Sequence, residues 1–319
     1  MAEAFTVAIC TRNRAAFLRR CLEGLAASLK GLDAPVLVVD NGSTDDTAAV
    51  VAQFGSMARR IVEPRVGLSH ARNAAMAACS TAYLVFLDDD GIPSAEWGSA
   101  VGAVTKRAEA DVFGGPYTPF YTSPKPAWFD DSFGSAHLEL ADGPQAASVC
   151  FSGGNMGWRV SVLSAAGGFD PTLGVSGDRL RLGEETALQL ALRRSNPTLR
   201  FEFSSSMRMV HHVSREKMRL SYIHRRNYIY GYQLRDIDPA NPINDLPLAM
   251  FVRQTKLGLP LLARLIWRRG LTERESWRRY AARYLSLNSI LFGAQVRRWF
   301  AGARRRSPAA AHIDNGAAS

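Results

Sequence analysis

Three consecutive carboxylates, Asp88, Asp89 and Asp90, end the apolar run in AYLVFLDDDGIP (residues 82–93). They repel one another. Such a cluster persists where a cation sits among the oxygens or where water covers them. Mg2+ and Mn2+ prefer carboxylate oxygen and keep water and phosphate in their shells. Two carboxylates on one tight turn therefore suit an ion shared with a diphosphate, and the ion neutralises both the cluster and a phosphate leaving group. A solvated acidic turn is the plain alternative; placement at the end of a buried strand weighs against it. Asp40, in VVDNGS, has the chemistry to accept hydrogen bonds from a base or ribose, although Asp-Asn-Gly favours tight turns regardless of function. Arg72, in SHARNAA, suits a phosphate clamp, and the helix opened by GLSHARN offers N–H groups that suit anions.

These residues need elements to hold them. Residues 5–9, 35–40 and 82–87 read as short buried strands. Between them Leu18, Leu22, Leu25 and Leu29 recur at helical steps, residues 43–54 open with helix-capping and acidic residues, and residues 67–79 form an Ala-rich helix. Strands separated by helices predict a parallel sheet covered on both faces, with ligands bound beyond the carboxyl ends of the strands. Thr11, Arg12 and Arg14 follow the first strand, Asp40 the second and Asp88 to Asp90 the third, so three strand ends aim at one crevice. Residues 112–135, rich in Pro, Gly and aromatics, read as a long surface loop or lid. Residues 150–170 read as a Gly-rich turn and a short helix, 183–194 as a helix with Glu184 and Glu185 at its positive end, and 200–213 as a β-pair. From about residue 215 the pattern is helical and basic. Thr272 and Glu275 form a capping box, and Trp277, Tyr280, Tyr284, Leu287 and Leu291 follow on one face. No internal repeat is found.

With 319 residues, 47% hydrophobic and 21% charged, the chain suits one large α/β domain or two small ones and is not a disordered protein. The net charge of +10 is uneven: residues 251–319 carry fourteen Arg and Lys against three acids, residues 1–250 twenty-five against twenty-six. Cys10, Cys21, Cys79 and Cys150 form no CxxC pair and read as reduced thiols. The N-terminus does not read as a signal peptide. The best apolar stretch, LGLPLLARLIW (257–267), is shorter than a membrane span and contains Arg264.

VAICTRNR, VVDNGSTDDT, GLSHARNAAMAA, LVFLDDDGIP, SGGNMGWR, GGFD and GEETALQLAL occur in an order that resembles the family 2 glycosyltransferases, which have the GT-A fold, over roughly residues 4–215. The resemblance implies an α/β fold with a mostly parallel central sheet, a nucleoside-diphosphate sugar donor, Mn2+ or Mg2+, and inverting transfer. It implies that Thr11, Arg12 and Arg14 line the nucleotide, that Asp40 reads the base and that Arg72 lies on the phosphate side. Asp88 and Asp90 match the outer members of the DxD motif, with Asp90 the better metal ligand, and Gly153, Gly154 and Asn155 match the turn beside the transferred sugar. The family pattern after GGFD usually reads Glu-Asp, the Asp serving as base. Here the pair is Glu184-Glu185, so Glu185 takes that role with Glu184 as the alternative. In some relatives a His at this point completes the metal shell or touches the acceptor, a role open to His211 or His212, with a structural histidine as the alternative; neighbours on a strand face opposite ways, so only one of them can point into the crevice. Trp128 and Phe129 suit stacking on an acceptor sugar or anchoring of their loop, and Trp158 reads as core.

The expected organisation is a catalytic domain over 1–215 (nucleotide half about 1–110, acceptor half about 111–215), a basic amphipathic helical region over 216–306 and a disordered tail over 307–319. Arg-rich amphipathic helices suit an anionic membrane surface, so a cytoplasmic protein peripheral on the inner face of the membrane is expected, working on a glycan or lipid-linked acceptor in cell-envelope synthesis with UDP as the default nucleotide. Helices packed on the domain with a solvated Arg face are the alternative. Nucleic acid is not an expected partner, because no recognition motif accompanies the charge. A dehydrogenase lacks its GxGxxG after the first strand, and a nucleotidyltransferase lacks its Gly-rich, Lys-bearing N-terminal loop. A degenerate, membrane-bound scaffold is the non-enzymatic alternative, hinted at only by the Glu-Glu departure.

Overall fold

A computed structural model describes residues 4–177, 179–247, 249 and 287–299. They divide into two compact units, Met1–Met218 and Arg219–Ser319. In the first unit strand and helix alternate: β1 (Phe5–Thr11), α1 (Ala15–Ser28), β2 (Val36–Asp40), α2 (Thr47–Ala52), β3 (Ala58–Val62), α3 (Leu68–Ala78) and β4 (Tyr83–Leu87). There follow β5 (Gly91–Pro93), α4 (Trp97–Arg107), β6 (Val112–Gly114), β7 (Tyr117–Tyr121), β8 (Gly143–Pro144), β9 (Asn155–Arg159), α5 (Val160–Ala165), α6 (Glu184–Ser195), β10 (Phe201–Phe203) and β11 (Met209–Val213).

Among the described residues the main sheet has eight strands in the order β3-β2-β1-β4-β9-β6-β10-β8. β3, β2, β1 and β4 are mutually parallel. β9 lies antiparallel between β4 and β6, β10 is parallel to β6, and β8 is antiparallel to β10. This is the α/β class the sequence predicts. The inner strands β1, β2 and β4 are mostly apolar because both of their faces are covered, as parallel sheets require. β1 sends Val7 and Ile9 to one face and Ala8 to the other, and β4 divides Tyr83, Val85 and Leu87 from Leu84 and Phe86. The first face buries Leu18, Leu22 and Leu25 of α1 with Trp97, Val101 and Val104 of α4. The second buries Ala71 and Ala75 of α3, Leu163 of α5 and Phe169. Each such Val, Leu, Ile or Phe contributes roughly 1.5–3 kcal/mol on burial.

A smaller sheet, β5-β11-β7, has β11 in its centre, antiparallel to β5 and parallel to β7. The chain crosses from the main sheet to this one three times, from β4 to β5, from β6 to β7 and from β10 to β11. Asn155 ties the last two crossings together. Its Nδ2 donates to the carbonyls of Pro116 (3.2 Å) and Met207 (2.7 Å), and its Oδ1 accepts from Trp97 Nε1 (2.8 Å).

Three expectations are corrected. Residues 112–135 are not one long lid, since they supply β6 to the main sheet and β7 to the small one. Residues 200–213 do not pair with each other: β10 pairs with β6 and β8, and β11 with β5 and β7. Trp128 and Phe129 are 6% and 2% exposed, packed edge-on with ring centroids 5.7 Å apart, and Phe129 also meets Tyr121 and Phe133. Rings buried this way anchor their loop and present no face to an acceptor sugar.

In the second unit α7 (Leu220–Ile237) and a helical run over 287–299 cross closely. Gly231 and Gly293 make this approach possible, because a Cβ on Gly231 would overlap the backbone at Ile290 and one on Gly293 the backbone at Tyr228. Arg297 pairs with Asp236 at 2.9 Å. The Thr272–Glu275 box, Trp277, Tyr280, Tyr284, the 257–267 stretch and the 307–319 tail lie outside the described residues. No described helix is long and apolar enough to cross a membrane.

Candidate active site

A crevice of about 380 Å3 opens at the carboxyl ends of β1, β2 and β4, lined among others by Thr11, Arg12, Arg14, Asn41, the three aspartates, His211 and Lys217. The loops after β1 and β2 are stitched together to form its rim. Asn13 takes a left-handed backbone (φ 53°), for which Asn is favoured. Its Oδ1 accepts from Thr44 N–H at 2.7 Å, its own N–H donates to Ser43 Oγ at 3.0 Å, and Asp45 Oδ2 accepts from Ala15 N–H at 2.9 Å at the start of α1.

Asn41, just after β2, lines the crevice, and Asp40 does not. Asp40 is 1% exposed; its Oδ1 accepts from Ser43 N–H (2.8 Å) and its Oδ2 from Arg60 Nε (2.9 Å) and a terminal nitrogen (2.5 Å). Burial opposes ionisation, but the bonds from Ser43 and Arg60 hold the carboxyl below its usual range. The role the resemblance gave it, reading the base, thus meets a carboxylate already engaged by its own chain. Asn41 Oδ1 accepts from Gly67 N–H (2.7 Å), and its Nδ2 donates to the carbonyls of Glu63 (2.9 Å) and Arg65 (2.8 Å). Arg65 folds back on Glu63, with its Nε at 2.9 Å and a terminal nitrogen at 2.8 Å. Those bonds, against a smaller opposing effect of burial, hold Glu63 down at about 2. A depressed carboxyl stabilises the fold above its unfolded range and loses that contribution as pH falls through the folded value. Denaturation midpoints should therefore fall between about pH 5 and pH 2 in the parent, and less steeply in Glu63→Gln.

The aspartates divide into different roles. Asp89 turns inward: its Oδ2 accepts from Thr11 Oγ1 and its Oδ1 from Arg14, each at 2.7 Å. Burial pushes it up to about 6, with Arg14 opposing. Asp90 Oδ2 lies 3.1 Å from Arg14 and 3.5 Å from Lys217 Nζ, and its Oδ1 lies 3.1 Å from His211 Nε2. Burial alone would raise Asp90; the bond and charge of His211, with Lys217 and Arg14, overcome it and hold the group well below its usual range. Asp88 keeps 38% side-chain exposure, with Oδ2 3.9 Å from His211 Nε2. The repulsion read in the sequence as compensated by a metal is thus offset first by Arg14 and Lys217. Lys217, in SREKMRL, carries no sequence signal that singles it out.

The choice between the two histidines is decided by the small sheet. His211 aims at Asp88 and Asp90, and donor atoms of the three lie within 4.8 Å of one another. His212 faces away, its Nε2 2.8 Å from Thr122 Oγ1 and its ring 4.5 Å from Phe17 and 5.3 Å from Phe120. Two carboxylates and one imidazole nitrogen are a fitting donor set for Mn2+, and an acceptable one for Mg2+. His211 Nε2 either donates to Asp90 or ligates a metal, never both.

Gly153 and Gly154 bring the backbone onto this site: a Cβ on Gly154 would overlap the Asp88 carboxylate, and one on Gly153 the Arg72 guanidinium. Asn155, expected beside the sugar, is fully buried as the tie between the sheets described above. Arg72 is also inside. It is 3% exposed, its NH1 is 2.6 Å from Glu184 Oε1, and its guanidinium lies 5.6 Å and 5.3 Å from the ring centroids of Phe86 and Phe169. Held there, it supports Glu184 instead of lining the crevice. Burial and the neighbouring Glu185 push Glu184 upward, with Arg72 opposing. Glu185, half-buried at the start of α6, is the carboxylate of the pair that Arg72 does not bind. Arg72→Met should destabilise the fold by about 3–5 kcal/mol by leaving a buried carboxylate unpaired. Adding Glu184→Leu should recover most of that loss in chemical denaturation. Cys10 lines the crevice, but burial pushes its thiol up to about 12, with Arg72 opposing, so it stays protonated.

Residues 6–165 match the family model described as Glycosyl transferase family 2. The chain belongs to glycosyl transferase family 2. An uncharacterized glycosyltransferase of Mycobacterium tuberculosis is 45% identical over 71 residues, 22% of this chain and 32% of that protein. The pre-mycofactocin glycosyltransferase of M. tuberculosis is 28% identical over 267 residues, 77% of this chain and 50% of that protein. The matches thus span about a third to a half of these relatives' lengths. Among solved structures, a mannosyltransferase from Pyrobaculum calidifontis in complex with GDP-Man and Mn2+ aligns with a TM-score of 0.52 at 19% identity, covering 98% of this chain and 78% of that one. TarS of S. aureus in complex with UDP aligns at 0.51 and 15% identity, covering 94% and 92%. At these identities the likeness shows the fold, and the fold is that of the GT-A glycosyltransferases.

Proposed function

We propose that this family member transfers a sugar from a nucleoside-diphosphate donor to an acceptor hydroxyl with inversion, with Mn2+ or Mg2+ held by Asp88, Asp90 and His211. The observation that carries this reading is the convergence of those three side chains in a crevice at the carboxyl ends of parallel strands. A divalent ion there would supply charge stabilisation to a departing diphosphate. The chain's own residues do the rest. Arg12, Arg14 and Lys217 add positive charge along the crevice, Thr11 and Arg14 fix Asp89, and the Gly153–Gly154 turn leaves room for the Asp88 carboxylate and the Arg72 guanidinium to take their places. Glu185 takes the proton of the acceptor hydroxyl as it attacks the anomeric carbon from the face opposite the leaving diphosphate. No covalent intermediate with the enzyme is required.

The mannosyltransferase and TarS structures hold guanosine and uridine nucleotides respectively, so both classes belong in the test. A panel of UDP- and GDP-sugars is incubated with the protein, with and without EDTA, and donor hydrolysis is followed. Turnover of at least one donor that stops with chelation is expected. Turnover indifferent to EDTA removes the metal from the reading, and a chain that binds no nucleoside diphosphate with Mn2+ is a scaffold. A role in cell-envelope glycan synthesis and contact with an anionic membrane are part of the same proposal, the latter resting on the basic composition of residues 251–319.

A further inference from the structure

A second cavity in the first unit, about 450 Å3, is larger than the crevice and different in character. Its walls include Ile92, Tyr117, Leu138, Phe203 and Val210, and no acidic side chain lines it. That volume and apolar lining are typical of sites for small organic molecules. Two polar features break the apolar surface. Ser94 Oγ is buried without a hydrogen-bond partner. Arg208 is exposed at the rim, donates through Nε to the Ser205 carbonyl at 2.9 Å, and pairs with no carboxylate among the described residues. Leu138 stands at the edge with 57% of its surface exposed, next to His137, which takes a left-handed backbone (φ 60°) and sets its ring 6.0 Å from Phe151 and 6.5 Å from Phe203.

The cavity's position relates it to the crevice. Asp90, at the start of β5, and His211, on β11, line the crevice; Ile92 and Pro93 of β5, with Met209 and Val210 of β11, line the cavity. Val210 directly precedes His211 and Ile92 follows Asp90 by two residues, so the two sets lie about 3–7 Å apart along the strands. The apolar walls call for an apolar ligand body, and a guanidinium without a carboxylate partner calls for a negative charge on it, because the acid beside the cavity, Asp142, is engaged by Ser205 N–H and Oγ.

We propose that this cavity is a binding site for an anionic amphiphile, an apolar chain or ring bearing one acidic group that meets Arg208 and a hydroxyl that receives the sugar, and that this ligand is the acceptor. The acceptor role rests on the glycosyl-transfer reading; the binding does not. The test is calorimetry on the full chain with decyl phosphate below its micelle concentration, beside inorganic phosphate and the neutral amphiphile decyl glucoside. Saturable binding of decyl phosphate at one site is expected, with both comparison compounds at least about tenfold weaker, as the loss of a charge-assisted bond or of the apolar body entails. Leu138→Glu and Arg208→Gln, both at exposed positions, should each weaken decyl phosphate by about tenfold and leave melting temperature and Mn2+-dependent nucleoside-diphosphate binding unchanged. Equal affinity for the neutral amphiphile, or parent-like affinity in both variants, overturns the site. Decyl phosphate binding without any nucleoside-diphosphate binding keeps the site and overturns the acceptor role.

Discussion

Asp90→Asn is expected to lower donor turnover by roughly 10^3-fold or more, while Asp89→Asn, one residue away, lowers it far less. The metal's charge stabilisation is of several kcal/mol, and each 1.36 kcal/mol is a factor of ten. Asp90 presents Oδ1 to the position that His211 Nε2 and Asp88 share, so an amide there removes both a ligand and a charge. Asp89 has its two oxygens on Thr11 and Arg14, and burial already pushes it up to about 6, so its replacement perturbs a support. The comparison also separates catalysis from folding. Asp90→Asn leaves Arg14 paired with Asp89 at 2.7 Å and Lys217 with 27% side-chain exposure, so neither cation is stranded without water or a partner. Turnover, Mn2+ affinity and melting temperature measured on both variants check this. Equal loss in the two would put the aspartates into a common structural role.

Glu185→Gln is expected to reduce kcat by about 10^2–10^4-fold, the range for loss of a positioned general base, with Mn2+-dependent nucleotide binding intact. Glu184→Gln should behave differently. Glu184 is the partner of Arg72 within the cage of Phe86 and Phe169, so its loss appears first as lowered stability, and activity falls with the displaced neighbour. The pair therefore separates by readout: kcat without stability for Glu185, stability with activity for Glu184. Transfer by Glu185→Gln at the parent rate would remove Glu185 as base.

The frame of the site was readable in the sequence because buried parallel strands have a simple signature. FTVAI, PVLVVD and AYLVFL are continuous apolar runs between helical periods, and polar residues after each run must meet at the sheet's carboxyl edge. β3 escaped notice because ARRIV lies at the sheet's edge and exposes both arginines. β9 has no such signature because NMGWR, buried except for Arg159, owes its burial to partners distant in sequence, β4 and β6. The same non-locality governs the site. Arg72 and Asp40 have the chemistry of ligand-binding groups, yet whether a guanidinium or a carboxylate faces a crevice or a buried counter-ion depends on residues 112 and 20 positions away. Asn155 reads as a sugar-side residue because it follows two glycines, but three hydrogen bonds to distant segments place it inside. The orientation of His211 follows from alternation along β11 once its neighbours β5 and β7 are known, and neither neighbour was readable as a strand.

The convergence of Asp88, Asp90 and His211 on one divalent ion is the central claim, and calorimetry of UDP and GDP with and without Mn2+ tests it most directly when applied to His211→Ala and His212→Ala. Binding of at least one nucleotide should require Mn2+, vanish with EDTA, weaken by about 100-fold or more in His211→Ala and stay near the parent value in His212→Ala. Nucleotide binding that proceeds without Mn2+, or that is as tight in His211→Ala as in the parent, contradicts the account.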